Sequence, residues 1–543
     1  MRRHRQSAGA LVLAAAVWGG GIPAAAPAVA ASTPVTYYVD SSTGSDSNSG
    51  TSPSSPWKSL AKVSGAALNP GDTVAFNRGE TFTGQLAVKR SGAAGAPITY
   101  TSYGTGSLPV ITGSGVSGGD YCSTVLIKDY DHLAFDSIQI ENPRTVSRPG
   151  IDDTCAYGVQ VVNDKASTLS NYTFRHVTVA NVNSIAQTAN FDSNVQSGIA
   201  FESYALADKF DSITVEDSHF QYGTRFGVAI NPETRVLNGA SASNVVIRDN
   251  TCDQTGGSCF LVKWTDHALI QNNDIESSGS TGHGFQIGRG SGGWILGTTN
   301  VVIDHNVSQH SRGPHDTAGF HVDARNTNVL MQYNYFNDAQ GHGVEILGNN
   351  ANVILRYNVI IDSGYRTDDG GWVYTDAYDP TVGQANQLVS SGVYLYNNTL
   401  SYAVQTPSNN SSTEFRYGLK NSFMYNNVFD CTNGTTTWLH TLGTPVNNTV
   451  THNLFNNAGA ALVALDSAPV TGSPAFAGTD RSAADSFKLS STSPARAAGV
   501  SRPDPGFDAL GSGIFAGIPA VPNQDFYGHA LPAGTPSIGA DQS

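Results

Sequence analysis

A short stretch of apolar and β-branched residues closing on Asn recurs along the middle of the chain. It reads Val245-Val246-Ile247-Arg248-Asp249-Asn250, Ala268-Leu269-Ile270-Gln271-Asn272-Asn273, Val301-Val302-Ile303-Asp304-His305-Asn306, Val329-Leu330-Met331-Gln332-Tyr333-Asn334 and Val353-Ile354-Leu355-Arg356-Tyr357-Asn358. Two further copies end at Asn398 and Asn427. The spacing, about 23 to 40 residues, lies in the range of solenoid repeats with insertions. A Gly-led stretch accompanies the repeat: Gly198 to Glu202, Gly227 to Asn231, Gly284 to Gly288, Gly319 to Asp323 and Gly343 to Leu347. Its alternation predicts strands with Phe, Val and Ile turned inward and polar residues turned outward. The recurring Asn suits a tight bend, where it tolerates the left-handed conformation and can hydrogen-bond its counterpart in the next coil. One coil cannot bury its own apolar face, so coils must stack. Parallel strands joined by right-handed crossovers then predict an all-β, right-handed parallel β-helix. The Leu spacing of leucine-rich repeats is absent.

A solenoid exposes unpaired edges at its ends and needs caps. Residues 33–120 read as an N-terminal cap with the first coils, including a short amphipathic helix around Pro56 to Val63. Residues 121–458 read as the central β-helix. In residues 459–543 the Asn bends stop, and this segment is expected to form the last coils and a tail that closes the C-terminal end. Residues 1–32 read as an export signal: Arg2, Arg3 and Arg5 precede an apolar run from Ala8 to Trp18 and A-x-A cleavage sites between Ala26 and Ala31. That run is too short to span a bilayer, so a secreted, extracellular protein with no membrane partner is expected.

Composition narrows the functional classes. The balance of 29 Lys+Arg against 43 Asp+Glu gives a net charge of −14, which argues against a nucleic-acid partner. With 22 Tyr and 22 Phe in the 543 residues, intrinsic disorder is also disfavoured. In an oxidising compartment Cys252 and Cys259 are expected to pair across a short Gly-rich turn. Cys122 and Cys155 form a second pairing, and Cys431 is left over.

The Gly-led strands, Asn bends and entry segment resemble the secreted right-handed parallel β-helix (pectate-lyase-like) superfamily, which contains polysaccharide lyases and glycoside hydrolases. Cys259-Phe260-Leu261-Val262-Lys263 and Gly282-His283-Gly284 are similar to polygalacturonase motifs, but Gly257 and Ser258 stand where that family's paired aspartates would fall. Lyases of the alginate type use a Lys base and an Arg on neighbouring coils, parts that Lys263 and Arg289 resemble. Some β-helix glycosidases place an Asp and a Glu on consecutive coils, as Asp323 and Glu345 do here.

Taking each Gly as origin, the second outward column reads Ala200, Ala229, Leu261, Gln286, His321, Glu345 and, from Trp372, Tyr374. The fourth reads Glu202, Asn231, Lys263, Gly288, Asp323, Leu347 and Asp376. His321 should sit beside Glu345, with Asp323 diagonal to it at about 8 Å between backbones. Gly288 beside Asp323 would leave room for a sugar. Paired carboxylates suit glycoside hydrolysis, one protonating the leaving oxygen and the other acting as base or nucleophile. Glu345 is expected to be the acid, Asp323 the base or nucleophile, and His321 the group that orients them. Lys263, Arg289, Gln286, Trp264, Trp294, Tyr374 and His283 are the expected substrate contacts, with Trp294 a possible stacking platform. His342, like His283, lies between glycines at a bend. His315, Asp316, Asp368 and Asp369 lie in flanking loops. No metal or cofactor is assigned, since no clear calcium site is present.

The expected function is a glycoside hydrolase acting on a polysaccharide or oligosaccharide, as a monomer. The alternatives are a lyase cleaving a uronate polymer by β-elimination from Lys263, and a non-catalytic glycan-binding surface protein.

Overall fold

The computed structural model describes residues 33–187, 196–232, 240–280, 289–366, 371–380, 382, 388–403, 414–415, 419–432 and 446–543. Three long parallel sheets run side by side through them, of 14, 14 and 11 strands. A typical coil starts in the Asn sheet with Thr327–Gln332, bends at Asn334 into a three-residue strand, Tyr335–Asn337, and continues into the Gly-led sheet with His342–Ile346. The next coil repeats this with Ala351–Arg356, Val359–Ile361 and Gly371–Thr375, each paired in parallel with its predecessor. The protein is therefore a right-handed parallel β-helix. All three sheets continue across residue 120, and one of them, through the pairing of Leu454–Asn456 with Val470–Thr471, passes residue 458.

Inward residues of all three sheets merge into one core, from Val39 at the entry to Phe455 near the exit. Like side chains stack from coil to coil: the rings of Tyr100, Phe135 and Phe174 are parallel, with centroids 4.9 and 5.2 Å apart. At the N-terminal end the helix is Leu60–Ser64; the Ser59 hydroxyl caps it by accepting from the Lys62 N–H, and Leu60 and Val63 are buried on the core. Cys122 pairs with Cys155 and Cys252 with Cys259, as the sequence suggested, and Cys431 is buried.

The Asn ladder is real, but its division of labour differs from the expectation. Asn250, Asn273, Asn306, Asn334, Asn358, Asn398, Asn427 and Asn453 are buried, and each side-chain amide donates to the Oδ1 of the next at 2.9–3.0 Å. The last member donates to Asp466, which ends the ladder. The left-handed conformation falls on the residue before: Asp249, Asn272, His305, Tyr333, Tyr357, Asn397, Asn426 and His452, with φ between 52° and 56°. Left-handed backbone at Tyr is costly. It persists because the following Asn uses both side-chain groups to satisfy bend amides and carbonyls. Asn334, for example, also donates to the carbonyls of Ile303 and Gln332 and accepts from the Asn306 N–H.

The C-terminal segment does not simply close the end. The end of the core is covered by a short helix, Ala460–Val463, whose Leu462 is buried there. The following chain turns back along the outside of the Asn sheet. Phe507, Leu510, Phe515 and Ile518 cover the outward residues Leu269, Val302, Leu330, Ile354, Tyr333, Tyr357, Tyr396 and Tyr425. Arg356, fully buried, donates to the carbonyls of Ala520 and Pro519, and Tyr333 donates to that of Gln524. A second clasp is formed by Asp525, His529 and Asp541, three groups close enough to share a cation. Here the aspartate oxygens accept backbone N–H groups of Tyr527, His529, Gln542, Leu489 and Ser543. The cluster therefore serves as a fastening for the chain terminus.

Replacing Asn334 by Ala should destabilise the fold by about 3 kcal/mol, because several buried backbone groups lose their partner at once. Urea unfolding would show this as a lower midpoint with an unchanged slope. A loss below about 0.5 kcal/mol would mean that the ladder carries no such weight.

Candidate active site

Register in the Gly-led sheet decides which side chains meet. Leu261 pairs with Trp294, Trp294 with His321, His321 with Glu345, and Glu345 with Tyr374. His321 and Glu345 are neighbours as expected, with His321 Nε2 3.4 Å from Glu345 Oε1. The strand that the sequence placed between Lys263 and His321 is different. Gly293–Leu296 takes that position, so Trp294 stands where Gln286 was expected and Leu296, not Gly288, pairs with Lys263. The apolar Trp294-Ile295-Leu296 keeps Ile295 in the core, between Val262 and Val322. Gln286 and His283 lie outside the described residues, as do Asp368 and Asp369.

The polar residues of this face point away from the core but are not solvated. His321, Asp323 and Glu345 retain only 3%, 4% and 5% of their surface. Alternation nonetheless keeps them off the coil interior, since Phe320, Val322, Val344 and Ile346 fill the core. The acids are thus outward-facing and covered. The rings around them are ordered by stacking. Trp294 lies parallel to the His321 imidazole at 5.9 Å, and Tyr374 lies on His342 at 4.3 Å. The Tyr374 hydroxyl donates to Asp376 at 2.8 Å.

Asp323 is the electrostatic centre. It follows the strand Phe320–Val322, and its Oδ1 accepts the Ala324 N–H at 2.8 Å. Desolvation pushes its carboxyl up to about 7. The negative charge of Asp316 raises it further, and the Ala324 N–H and the cations of Lys263 and Arg289 pull the other way. Asp316 belongs to the segment that leads from the strand Val307–Gln309 into Phe320. Its Oδ2 is 3.0 Å from Arg289 Nε, and a bridge between Arg289 and His315 aligns the two loops. Lys263 places its ammonium 5.7 Å from the centre of the Trp294 ring. The structure therefore gathers Lys263, Arg289, Trp294, His321, Asp323, Glu345 and Tyr374 around one face, and adds Asp316. Trp264 is different: it is a corner residue at φ 48°, and its ring is packed where a Cβ on Gly297 would lie. It serves packing rather than the site. Asp316 was treated in the sequence as a flanking loop acid. The local clue was its position seven residues before Asp323, but only the fold of the 310–319 segment brings the two charges within reach.

Residues 236–400 match the family model described as a right handed beta helix region. The chain has the right-handed parallel β-helix fold. Among curated proteins, the lacto-N-biosidase of Bifidobacterium longum subsp. longum is 26% identical over 396 residues, covering 57% of this chain and 24% of that protein. The chain thus spans about a quarter of that relative's length. Among solved structures, the GH136 lacto-N-biosidase from Eubacterium ramulus superposes with a TM-score of 0.53 at 19% identity, over 76% of this chain and 67% of that one. Its native form gives 0.52 at 20%, over 70% and 66%. At this identity the structural likeness is one of fold.

A carboxyl whose proton is held more tightly in the folded state makes the native protein bind more protons than the unfolded chain. Stability then falls as pH rises from the unfolded value near 4 to the folded value of about 7. Asp323→Asn should remove that component, worth about 4 kcal/mol over the interval. Urea midpoints of wild type and variant measured from pH 4 to 8 should diverge in favour of the variant. Parallel curves would refute a buried, proton-holding Asp323.

Proposed function

We propose that this chain is a secreted glycoside hydrolase of the lacto-N-biosidase kind, acting on an oligosaccharide or glycan chain. The observation that carries this reading is a protonatable buried carboxyl, Asp323, electrostatically coupled to a second carboxylate, Asp316, that is ion-paired with Arg289. Hydrolysis of an acetal needs both forms of the same functional group. Asp323 at about 7 keeps its proton under mildly acidic to neutral conditions and gives it to the glycosidic oxygen as the bond to the anomeric carbon breaks. Asp316 supplies the negative charge for the oxocarbenium-like centre, either attacking the anomeric carbon or taking a proton from the water that does.

This exchanges the roles drawn from the sequence. There Glu345 was the acid and Asp323 the base or nucleophile, because proximity to Asp323 and partial desolvation were expected to raise Glu345. Burial raises the Asp323 carboxyl to about 7, which supports it as the acid, and Glu345, in contact with His321, would orient the imidazole beside it. The sequence relationship to a lacto-N-biosidase supports hydrolysis over β-elimination. The basic start and apolar run of residues 2–18 support export. Neither carboxyl role requires a metal.

Asp323→Asn and Asp316→Asn should each lower kcat by about a thousandfold or more, and Lys263→Met by far less. The assay is release of p-nitrophenol from the p-nitrophenyl glycoside of lacto-N-biose, with reducing-end formation on longer glycans as a second readout. Activity should decline as pH rises through 7, where Asp323 loses its proton. Products absorbing near 235 nm, about where unsaturated uronates absorb, together with dependence on Lys263, would replace this reading by a lyase.

A further inference from the structure

Trp294 holds an unusual combination of positions. It stands directly between Leu261 and His321 in the ladder of outward residues, one strand before His321 and two before Glu345. Its ring is already occupied. The His321 imidazole lies parallel to it, Phe226 packs with its ring centre 6.2 Å away together with Ala229 and Leu261, and the Lys263 ammonium approaches its face. Only 9% of its surface remains exposed. A sugar ring therefore cannot stack on it, which removes the platform role suggested by its sequence. What remains is the indole N–H. Nε1 is buried and has no hydrogen-bond acceptor among the described residues.

Buried donors are almost always paired, because an unmet one forfeits its hydration with no return. A Phe or Leu in this position would fill the same apolar space between Leu261 and His321 without that penalty. Trp adds one thing, a rigid donor held in place by packing, and such preorganised donors at catalytic clefts commonly meet a substrate acceptor.

We propose that the Trp294 indole N–H is a substrate-binding and specificity-determining donor, reserved for an acceptor oxygen of the sugar held beside His321 and Asp323. This rests on the glycoside hydrolase reading of the same face. The ligand it selects is a glycan unit presenting a hydroxyl, ring or carbonyl oxygen at that point. A unit lacking that oxygen leaves the donor unmet, and a site built on a polar contact discriminates strongly against such an analogue.

The test uses Trp294→Phe, which keeps an aromatic ring against His321 and deletes the donor along with part of the indole. kcat/KM on the p-nitrophenyl glycoside of lacto-N-biose should fall 10- to 100-fold, while the thermal midpoint stays level or rises because an unsatisfied buried group has gone. A fall in midpoint by several degrees with unchanged kcat/KM would assign the residue to packing and overturn the proposal. Direct contact is read separately by labelling the six Trp indoles with nitrogen-15 in the Asp323→Asn protein. Titration with lacto-N-biose should shift one indole resonance, and that resonance should be missing in the Trp294→Phe double variant. No shift of that resonance with lacto-N-biose, xylobiose or a uronate disaccharide overturns the donor role. A shift accompanied by full hydrolytic activity of Asp323→Asn would instead refute the catalytic assignment and leave the donor standing.

Discussion

Coil-to-coil register is the constraint from which the site follows. A strand slipped by one residue would send its outward set into the core and its core set outward. Here the penalty for slipping is raised at the bends, where the ladder from Asn250 to Asn453 ties each coil to the next through side-chain amides. With the bends in register, Val322 must face Ile346 and Ile295 inside, so His321 must face Glu345 and Trp294 outside. Three residues from three coils, each separated by more than twenty positions in the chain, meet because a hydrogen-bonded corner on another sheet fixes the phase.

Given that geometry, the chemistry is set by how little water reaches the face. An exposed aspartate pair would be two ordinary carboxylates. Burying Asp323 beside the charge of Asp316 holds a proton on one of them, and Arg289 offsets the charge of the other. The positive charges of Lys263 and Arg289 oppose the rise that desolvation imposes on Asp323. The same dryness gives the aromatic contacts around the acids their role. Trp294 stacks on His321 and Tyr374 on His342, which fixes the orientation of these rings.

The C-terminal segment shows a different use of the solenoid surface. Outward positions Leu269, Val302, Leu330 and Ile354 are apolar, and the returning chain with Phe507, Leu510, Phe515 and Ile518 covers them. Strands of this sheet are therefore buried on both faces, as parallel strands generally are. Arg356 at the interface is satisfied by Gln332, Tyr396 and two carbonyls of the returning chain, which makes this burial of a charge tolerable.

By itself the sequence determined the architecture. Stacked coils, inward Phe, Val and Ile, the Asn ladder, both disulfide pairs and the adjacency of His321 and Glu345 are consequences of local period, and local period is written in the order of residues. It even held the unread sign of the covered face, since Val301-Val302-Ile303 and Val353-Ile354-Leu355 are unbroken apolar runs rather than alternating ones. Only the tertiary structure decided that Gly293–Leu296 supplies the strand between Phe260–Lys263 and Phe320–Val322, because by pattern alone Gly284 to Gly288 fits a strand as well. It also set how far burial raises the Asp323 carboxyl. Desolvation and charge proximity are sums over groups remote in sequence, so the pairing of Asp323 with Asp316 and the burial of the Trp294 indole arise only when loops and coils close around the same small volume.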